Sequence, residues 1–197
     1  MEQTQTPPRS LINRGAITLL EAAIYIVIAL VIVTVAITQG GGLFNKNDAS
    51  TEYNNAAELL TNSRTMLKTS GIYNFAAADA MTGALIQFGG APANMTVVGT
   101  KSSGSAKLQN LWGGAVTVQP VATAGGQKSS FSLTYAAVPQ EACITLATKL
   151  SAAPSVVITM VNGTSTNGAI AANAVGAQCT ADKGSVGQNT LTFTSNT

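Results

Sequence analysis

The chain has 197 residues, of which only 9% are charged, with ten basic and eight acidic residues and no histidine. Soluble domains usually carry about 25% charged residues, so the surface of this protein must consist largely of small polar residues and alanine. The near balance of charges gives no electrostatic footprint for nucleic acid. The absence of histidine, with only two cysteines, excludes the common zinc sites and histidine-based catalysis, so we expect no metal, cofactor or catalytic site.

The first 15 residues are polar and include Arg9 and Arg14. An apolar run follows from Ala16 to about Thr38, in which Glu21 is the only charged residue. A helix of this length reaches about 35 Å, which is enough to cross the hydrocarbon core of a bilayer. Basic residues just before such a span predict that the N-terminal end stays in the cytoplasm. A carboxylate inside the span is costly unless it is paired, so a partner for Glu21 is expected.

A secretory signal peptide is the alternative interpretation of this segment, with Ala36 ending the apolar part as the signal-peptidase site. Two features disfavour it: the apolar run exceeds the usual length of about 7–15 residues, and Glu21 lies inside it.

Three glycines, Gly40, Gly41 and Gly42, come directly after the apolar run. Each glycine costs a helix up to about 1 kcal/mol relative to alanine, so three together weaken or break it. Two interpretations of residues 40–46 stay open. They form a flexible linker between an anchor and a domain, or a helical segment that can melt and stretch.

Helical character resumes over residues 47–70. Apolar residues recur there at spacings of three and four, and they are Tyr53, Ala56, Ala57, Leu60, Met66 and Leu67. Asp48 or Ser50 is a suitable N-cap, and Gly71 is a natural stop. The pattern predicts the amphipathic half of a long helix, laid against a domain.

Residues 71–197 are predicted to form that globular domain. Its short apolar runs are Leu85–Phe88, Met95–Val98, Ala115–Val118, Phe131–Tyr135, Val156–Val161 and Leu191–Phe193. Alternation within Ala115–Val118 and Phe131–Tyr135 is typical of half-buried antiparallel strands. Gln140 to Leu150 is predicted to be helical, and Asn162-Gly163 is a strong turn signal. Together these patterns predict an α+β fold, a long helix packed on an antiparallel sheet.

Cys143 and Cys179 are the only cysteines, and both lie on the far side of the apolar span from Arg9 and Arg14. If that side is periplasmic or extracellular, a disulfide is expected. It would tether the Gly-, Ser- and Asn-rich stretch from Thr164 to Gly187. The alternative is a pair of free buried thiols.

These features together resemble the type IV pilins, and more closely the type IVb class of bundle-forming and conjugative-plasmid thin pili. The resemblance depends on Arg14-Gly15 followed by Ile17–Glu21 and the apolar run. It depends also on Asn110-Leu111-Trp112-Gly113-Gly114, and on Phe131–Tyr135 leading through Glu141-Ala142-Cys143 into a helix. It covers essentially the whole chain.

This resemblance implies that residues 1–15 are a leader peptide. A prepilin peptidase would remove it by cutting between Gly15 and Ala16, and Ala16 would then be N-methylated. Type IV pilins normally carry the glutamate as the fifth mature residue, whereas this cut makes Glu21 the sixth. A cut after Ala16 would restore the usual spacing. In the family, the residue matched by Glu21 pairs with the N-terminal amine of a neighbouring subunit, and a segment at the depth of Gly40, Gly41 and Gly42 melts during assembly.

The resemblance further implies a helical homopolymer whose core contains the apolar segment, residues 16–39. Its partners would be further copies of the chain, the prepilin peptidase, an assembly platform with its ATPase and an outer-membrane secretin. The precursor would reside in the inner membrane, and the mature subunit in an extracellular filament. A major pilin for adhesion, cell association or mating-pair stabilisation is therefore expected. A minor pilin or secretion pseudopilin, and a non-polymerising anchored binding protein, are the alternatives.

Overall fold

The computed structural model describes residues 47–195 of the chain. The first helix, α1, spans residues 47–66. Three further helices follow, α2 (Ala78–Gln87), α3 (Gln140–Ser151) and α4 (Ala172–Gln178), with a short 3-10 turn at Lys101–Ser103. None of the helices within residues 47–195 is both long and apolar enough to cross a membrane.

Seven strands form a single antiparallel sheet. They are β1 (Thr96–Val98), β2 (Lys107–Gln109), β3 (Ala115–Val121), β4 (Ser130–Val138), β5 (Val156–Val161), β6 (Thr164–Asn167) and β7 (Asn189–Ser195). Their spatial order is β1-β2-β3-β4-β7-β5-β6. The predicted α+β class with an antiparallel sheet is therefore confirmed.

The last strand of the chain occupies the middle of the sheet. Phe193 of β7 lies opposite Leu133 of β4 on one side and opposite Thr159 of β5 on the other. Because β7 separates β4 from β5, the chain must cross between those two strands, and α3 makes this connection. The two parts of the sheet, β1–β4 and β5–β6, are thus joined only through β7.

One hydrophobic core joins the helices to a face of the sheet. On β4 the alternate residues Phe131, Leu133 and Tyr135 are fully buried, as the period of two predicts. Leu59 and Leu60 of α1 belong to the same core. The amphipathic pattern of α1 is explained by this burial, because helical residues three and four apart lie on one face.

The chain reverses direction soon after α1 ends at residue 66. Thr69 and Ile72 exchange two backbone hydrogen bonds of 2.9 and 3.1 Å, and the two residues between them, Ser70 and Gly71, have φ values of 51° and 85°. The helix therefore ends a few residues before the predicted limit at residue 70. Gly71 forms the turn that follows the helix, a position that favours glycine because of its positive φ.

One of the predicted apolar runs has a different structure from the others. Leu85–Phe88 lies at the C-terminal end of α2 rather than within the sheet. Met81 and Leu85 are four residues apart and fully buried, so they occupy one helical face. Strands β2 and β6 were not predicted, because neither has an alternating apolar pattern: β2 has one buried residue and β6 has none. In contrast, the predicted helix at Gln140–Leu150 is observed as Gln140–Ser151.

Candidate functional site

A disulfide joins α3 to the end of α4. Cys143 and Cys179 are both buried, their Cα atoms are 6.1 Å apart, and the bond between them is formed. The predicted pairing is therefore confirmed. On the chain-entropy model, closing a loop of this length stabilises the fold by about 4 kcal/mol. The loop includes the β5–β6 hairpin, whose second strand, β6, has no buried residue.

A network of side-chain amides holds the same region to the sheet. Asn189, fully buried at the start of β7, donates from Nδ2 to the carbonyl groups of Val138 and Thr180, at 3.0 and 2.9 Å. Its Oδ1 accepts from the Thr180 amide at 2.6 Å and from Asn162 Nδ2 at 2.8 Å. Asn162 also donates to the Gln178 carbonyl at 2.9 Å. Two asparagines thus connect β4, β5, β7 and the end of α4.

The segment that follows α4, residues 179–182, also completes the N-terminus of α3. No side chain of Pro139, the N-cap residue, can satisfy the free amides of the first turn. Instead Asp182 Oδ1 accepts from the Gln140 amide at 2.8 Å, and the Gln140 side chain donates to the Cys179 carbonyl at 3.2 Å. A carboxylate at this position is favourable because the N-terminus of a helix carries partial positive charge.

A second cluster lies where α1 meets the turn between β2 and β3. We call residues 110–114 the Leu111 turn. Glu52 of α1 is fully buried, and its Oε1 accepts from the Leu111 amide at 2.6 Å. Asn110 Oδ1 accepts from the amides of Trp112 and Gly114, at 3.0 and 2.8 Å. The buried carboxylate thus fixes the turn to the helix.

Burial controls the protonation of this cluster. Desolvation raises the pKa of Glu52 above its ordinary value of 4.5, and the hydrogen bond from the Leu111 amide offsets part of that effect. Asn55 and Tyr135 are close enough to lower the pKa of Glu52 somewhat, although neither forms a hydrogen bond of good geometry with the free oxygen Oε2. Burial also raises the pKa of the Tyr135 hydroxyl well above its usual value.

The C-terminal end of α1 is linked to the last described residue of β7. Arg64 donates from Nη2 to the Ser195 hydroxyl at 2.8 Å, and Ser130 of β4 donates to the Ser195 carbonyl at 2.6 Å. Helix α1 therefore has polar contacts near both of its ends. Glu52 contacts the Leu111 turn, and Arg64 contacts β7. Both ends of α1 are thus fixed by specific side chains in addition to the apolar core between them.

Comparison with a family model and with solved structures identifies the family to which the chain belongs. Residues 46–196 match the family model described as PilS N terminal. The crystal structure of a type IVb pilin from Salmonella typhi is 36% identical, with a TM-score of 0.63, and covers 73% of this chain and 97% of its own. The chain belongs to the PilS family of type IVb pilins. An NMR structure of the Salmonella typhi type IVb pilin PilS is 38% identical, with a TM-score of 0.51, over 75% of this chain and 95% of its own.

A search of curated proteins gave no match. The family assignment makes this pilin a structural subunit of a pilus, which self-assembles into a filament at the cell surface. The resemblance to type IVb pilins that we inferred from the sequence is thereby confirmed.

Most of the predicted site residues of this pilin lie outside the described part of the chain. They are Gly15 and Ala16 at the predicted cleavage point, Glu21, and Gly40, Gly41 and Gly42. Their roles stay predictions. Within residues 47–195, no group of three or more His, Cys, Asp or Glu side chains could hold a metal ion.

Sequence reasoning missed the polar residues that the structure shows to be buried. Glu52 lies three residues after Ala49 and four before Ala56, both of which are buried. That spacing places the glutamate on the apolar face of α1, so the helical pattern contained the signal for its burial. For Asn189 the sequence holds no comparable signal, because its partners come from distant segments.

Proposed function

We propose that this pilin is the major subunit of a type IVb pilus, with residues 1–15 as a leader and residues 16–39 in the filament core. The observation that carries the proposal is the order of its parts. An apolar segment with a single carboxylate, at Glu21, precedes a domain of the PilS family. A filament whose subunits pack closely against one another fits the low share of charged residues, 9%, in the chain.

Glu21 is proposed to pair with the mature N-terminal amine at Ala16 of a neighbouring copy. A carboxylate and an ammonium attract each other more strongly in an apolar surrounding than in water, but each loses its hydration. The pair therefore sets the register of neighbouring subunits more than it stabilises them. Apolar burial of the segment supplies most of the cohesion, at about 25 cal/mol per Å² relative to water.

The proposed route starts in the inner membrane. A prepilin peptidase cuts between Gly15 and Ala16 and methylates Ala16, and the subunit then leaves the bilayer through an assembly platform with its ATPase and a secretin. In the bilayer the apolar segment is already out of water, so extraction needs an energy source. Gly40, Gly41 and Gly42 allow the helix to unwind locally as the subunit leaves.

The cleavage proposal is tested by mass spectrometry of the N-terminus of filament subunits sheared from cells. A methylated N-terminus at Ala16 is expected. A start at Met1 would refute processing, and a start at Ile17 would move the cut by one residue.

The docking role of Glu21 is tested with Glu21→Ala, and Glu58→Ala serves as the matched control because Glu58 is an exposed glutamate on α1. We expect electron microscopy to show few or no filaments for Glu21→Ala and normal numbers for Glu58→Ala. Normal filament yield from Glu21→Ala would refute the pairing. Counting copies of the chain in sheared filaments distinguishes a major from a minor subunit.

The proposed biological role is adhesion, cell association or stabilisation of mating pairs. The solvent-facing hairpin β5–β6 and its neighbouring loops are rich in Ser, Thr and Asn, which suits contacts with polar surfaces. Deleting the gene and measuring bacterial aggregation and plasmid transfer separates these roles, because loss of one activity alone identifies the one that the pilus serves.

A further inference from the structure

The Leu111 turn combines an exposed apolar side chain with an unusually complete set of backbone hydrogen bonds. All five of its amides donate. Besides the three bonds to Glu52 and Asn110 side chains described above, the Asn110 amide donates to the Gly114 carbonyl at 2.9 Å and the Gly113 amide to the Asn110 carbonyl at 3.0 Å. The backbone of the turn is therefore held in one conformation.

Side chains on both sides of Leu111 anchor the turn further. Asn110 Nδ2 donates to the Ala136 carbonyl of β4 at 2.8 Å, and Trp112 packs against the hydrophobic core. Leu111 itself points away from the core and remains 43% exposed. A large apolar side chain on a rigid backbone loses little conformational entropy when a partner covers it, so less of the binding free energy is lost to ordering.

Glu52 holds the Leu111 turn at a cost in desolvation free energy. A fully buried carboxylate is costly unless its hydrogen bonds offset the loss of hydration. Here its one hydrogen bond of good geometry goes to the amide of an exposed leucine. Apolar side chains on α1 would stabilise the core more simply.

We propose that the Leu111 turn is a subunit–subunit contact, and that its occupant is the surface of a second copy of this pilin. The inference depends on the self-assembly of the family and on the major-subunit function proposed above. The turn lies beside Glu52, five residues after the first described residue, Asn47, and thus close to the point where the N-terminal 46 residues join α1. Because those residues are proposed to hold the filament together, we infer that a neighbouring copy approaches the domain at this end of α1.

A filament requires the contact to be heterologous. Leu111 of one copy must meet a different surface of the next, since a self-complementary contact would close into a dimer. The Leu111 turn carries no charged residue. It therefore suits contact with a second copy of the chain, which has few charged residues on its own surface.

The experiment places a photoreactive amino acid, p-benzoylphenylalanine, at position 111 of the full-length chain in cells that assemble pili. Matched variants carry it at Val98 and at Val157, which are 46% and 41% exposed. Sheared filaments are irradiated, separated by electrophoresis and analysed by peptide mass spectrometry. We expect several-fold more pilin–pilin product from position 111 than from either control. An equal yield at the three positions, or a product with a different protein, would overturn the proposal.

A second variant tests the contact without a bulky label. Leu111→Ser should reduce filament yield several-fold while leaving the melting temperature and the cellular amount of the chain unchanged, because the side chain is exposed. Val98→Ser is the control and should assemble normally. Normal assembly of Leu111→Ser would contradict the inference.

The major-subunit proposal is tested separately by counting copies in wild-type filaments. A low copy number refutes that proposal and this inference together, whereas a high copy number with normal assembly of Leu111→Ser refutes the inference alone.

Discussion

Asn162 donates a hydrogen bond from its side-chain amide to the side-chain oxygen of Asn189, over 2.8 Å. Asn162 lies in the turn between β5 and β6, and Asn189 is the first residue of β7. The bond therefore connects the hairpin to β7, the strand that lies between β4 and β5. The Thr190 amide donates back to Asn162 Oδ1 at 2.8 Å, so the contact is reciprocal. Because the same two asparagines bond to Gln178 and Thr180, this pair also holds the backbone on either side of Cys179.

Replacing Asn189 is expected to destabilise the domain strongly. Asn189→Ala leaves the buried Val138 carbonyl and the part-buried amide and carbonyl of Thr180 without their side-chain partner, at a cost of about 3 kcal/mol. For a domain of this size the melting temperature should fall by about 6–12 °C. Circular dichroism of the purified full-length chain in detergent measures the change.

Asn189→Asp provides the matched comparison, because it keeps the shape of the side chain but replaces the donating amide by an oxygen facing two carbonyl groups. At neutral pH it should be at least as destabilising as Asn189→Ala. A melting temperature equal to that of the wild type for either variant would show that the network contributes little.

Loss of the disulfide should also lower stability. Cys143→Ser with Cys179→Ser removes a bond expected to contribute about 4 kcal/mol. Urea unfolding of the oxidised wild type, the reduced wild type and the double variant measures the difference. The reduced wild type should unfold at nearly the same urea concentration as the double variant. If all three unfold together, the amide network alone holds the region.

The sequence was informative wherever local pattern and burial agree. The alternation of Phe131, Leu133 and Tyr135 predicted β4 because every second residue enters the core. Asn162-Gly163 predicted the turn of the β5–β6 hairpin, and both residues have positive φ, of 49° and 89°. The two cysteines predicted their own pairing, since no other cysteine was available.

Prediction from sequence failed where long-range contacts decide the structure. Strand β6 contains only Thr, Ser and Asn and becomes a strand because it pairs with β5. The insertion of β7 between β4 and β5 joins segments far apart in the chain, which no local pattern records. In the candidate site, the helical spacing of Glu52 from Ala49 and Ala56 was a signal for its burial. Its partner Leu111 is 59 residues away, and no local pattern links the two.

Close packing of the Leu111 turn predicts different costs for its two adjacent glycines. A Cβ atom at Gly114 would collide with the Ala136 carbonyl, whereas one at Gly113 would meet nothing within 4 Å. Gly113 has a φ of 78°, so Gly113→Ala should cost about 1–2 kcal/mol through backbone strain alone. Gly114→Ala must displace β4 or the turn and should cost more. Urea unfolding of the two variants ranks them, and the reverse order would contradict the observed packing.

The buried carboxyl of Glu52 should make stability depend on pH. Burial raises the pKa of Glu52 in the folded chain above the value of 4.5 expected when unfolded, so the folded state binds its proton more tightly. The resulting stabilisation is fully present below pH 4.5 and is lost as the pH rises through the folded pKa. The titratable groups that act on Glu52 are Asp48 on α1, which reinforces the rise in the pKa of Glu52, and Tyr135 on β4.

Glu52→Gln removes this titration while keeping an oxygen that can accept from the Leu111 amide. The melting temperature of Glu52→Gln relative to the wild type should therefore increase as the pH rises from 4.5 through the folded pKa of Glu52, and then level off. Glu58→Gln, an exposed replacement on the same helix, should not reproduce that trend. Melting curves of the three chains from acidic to neutral pH provide the measurement. If Glu52→Gln and the wild type differ by a constant amount at every pH, the carboxyl group of Glu52 does not titrate in this range, and burial does not control its proton.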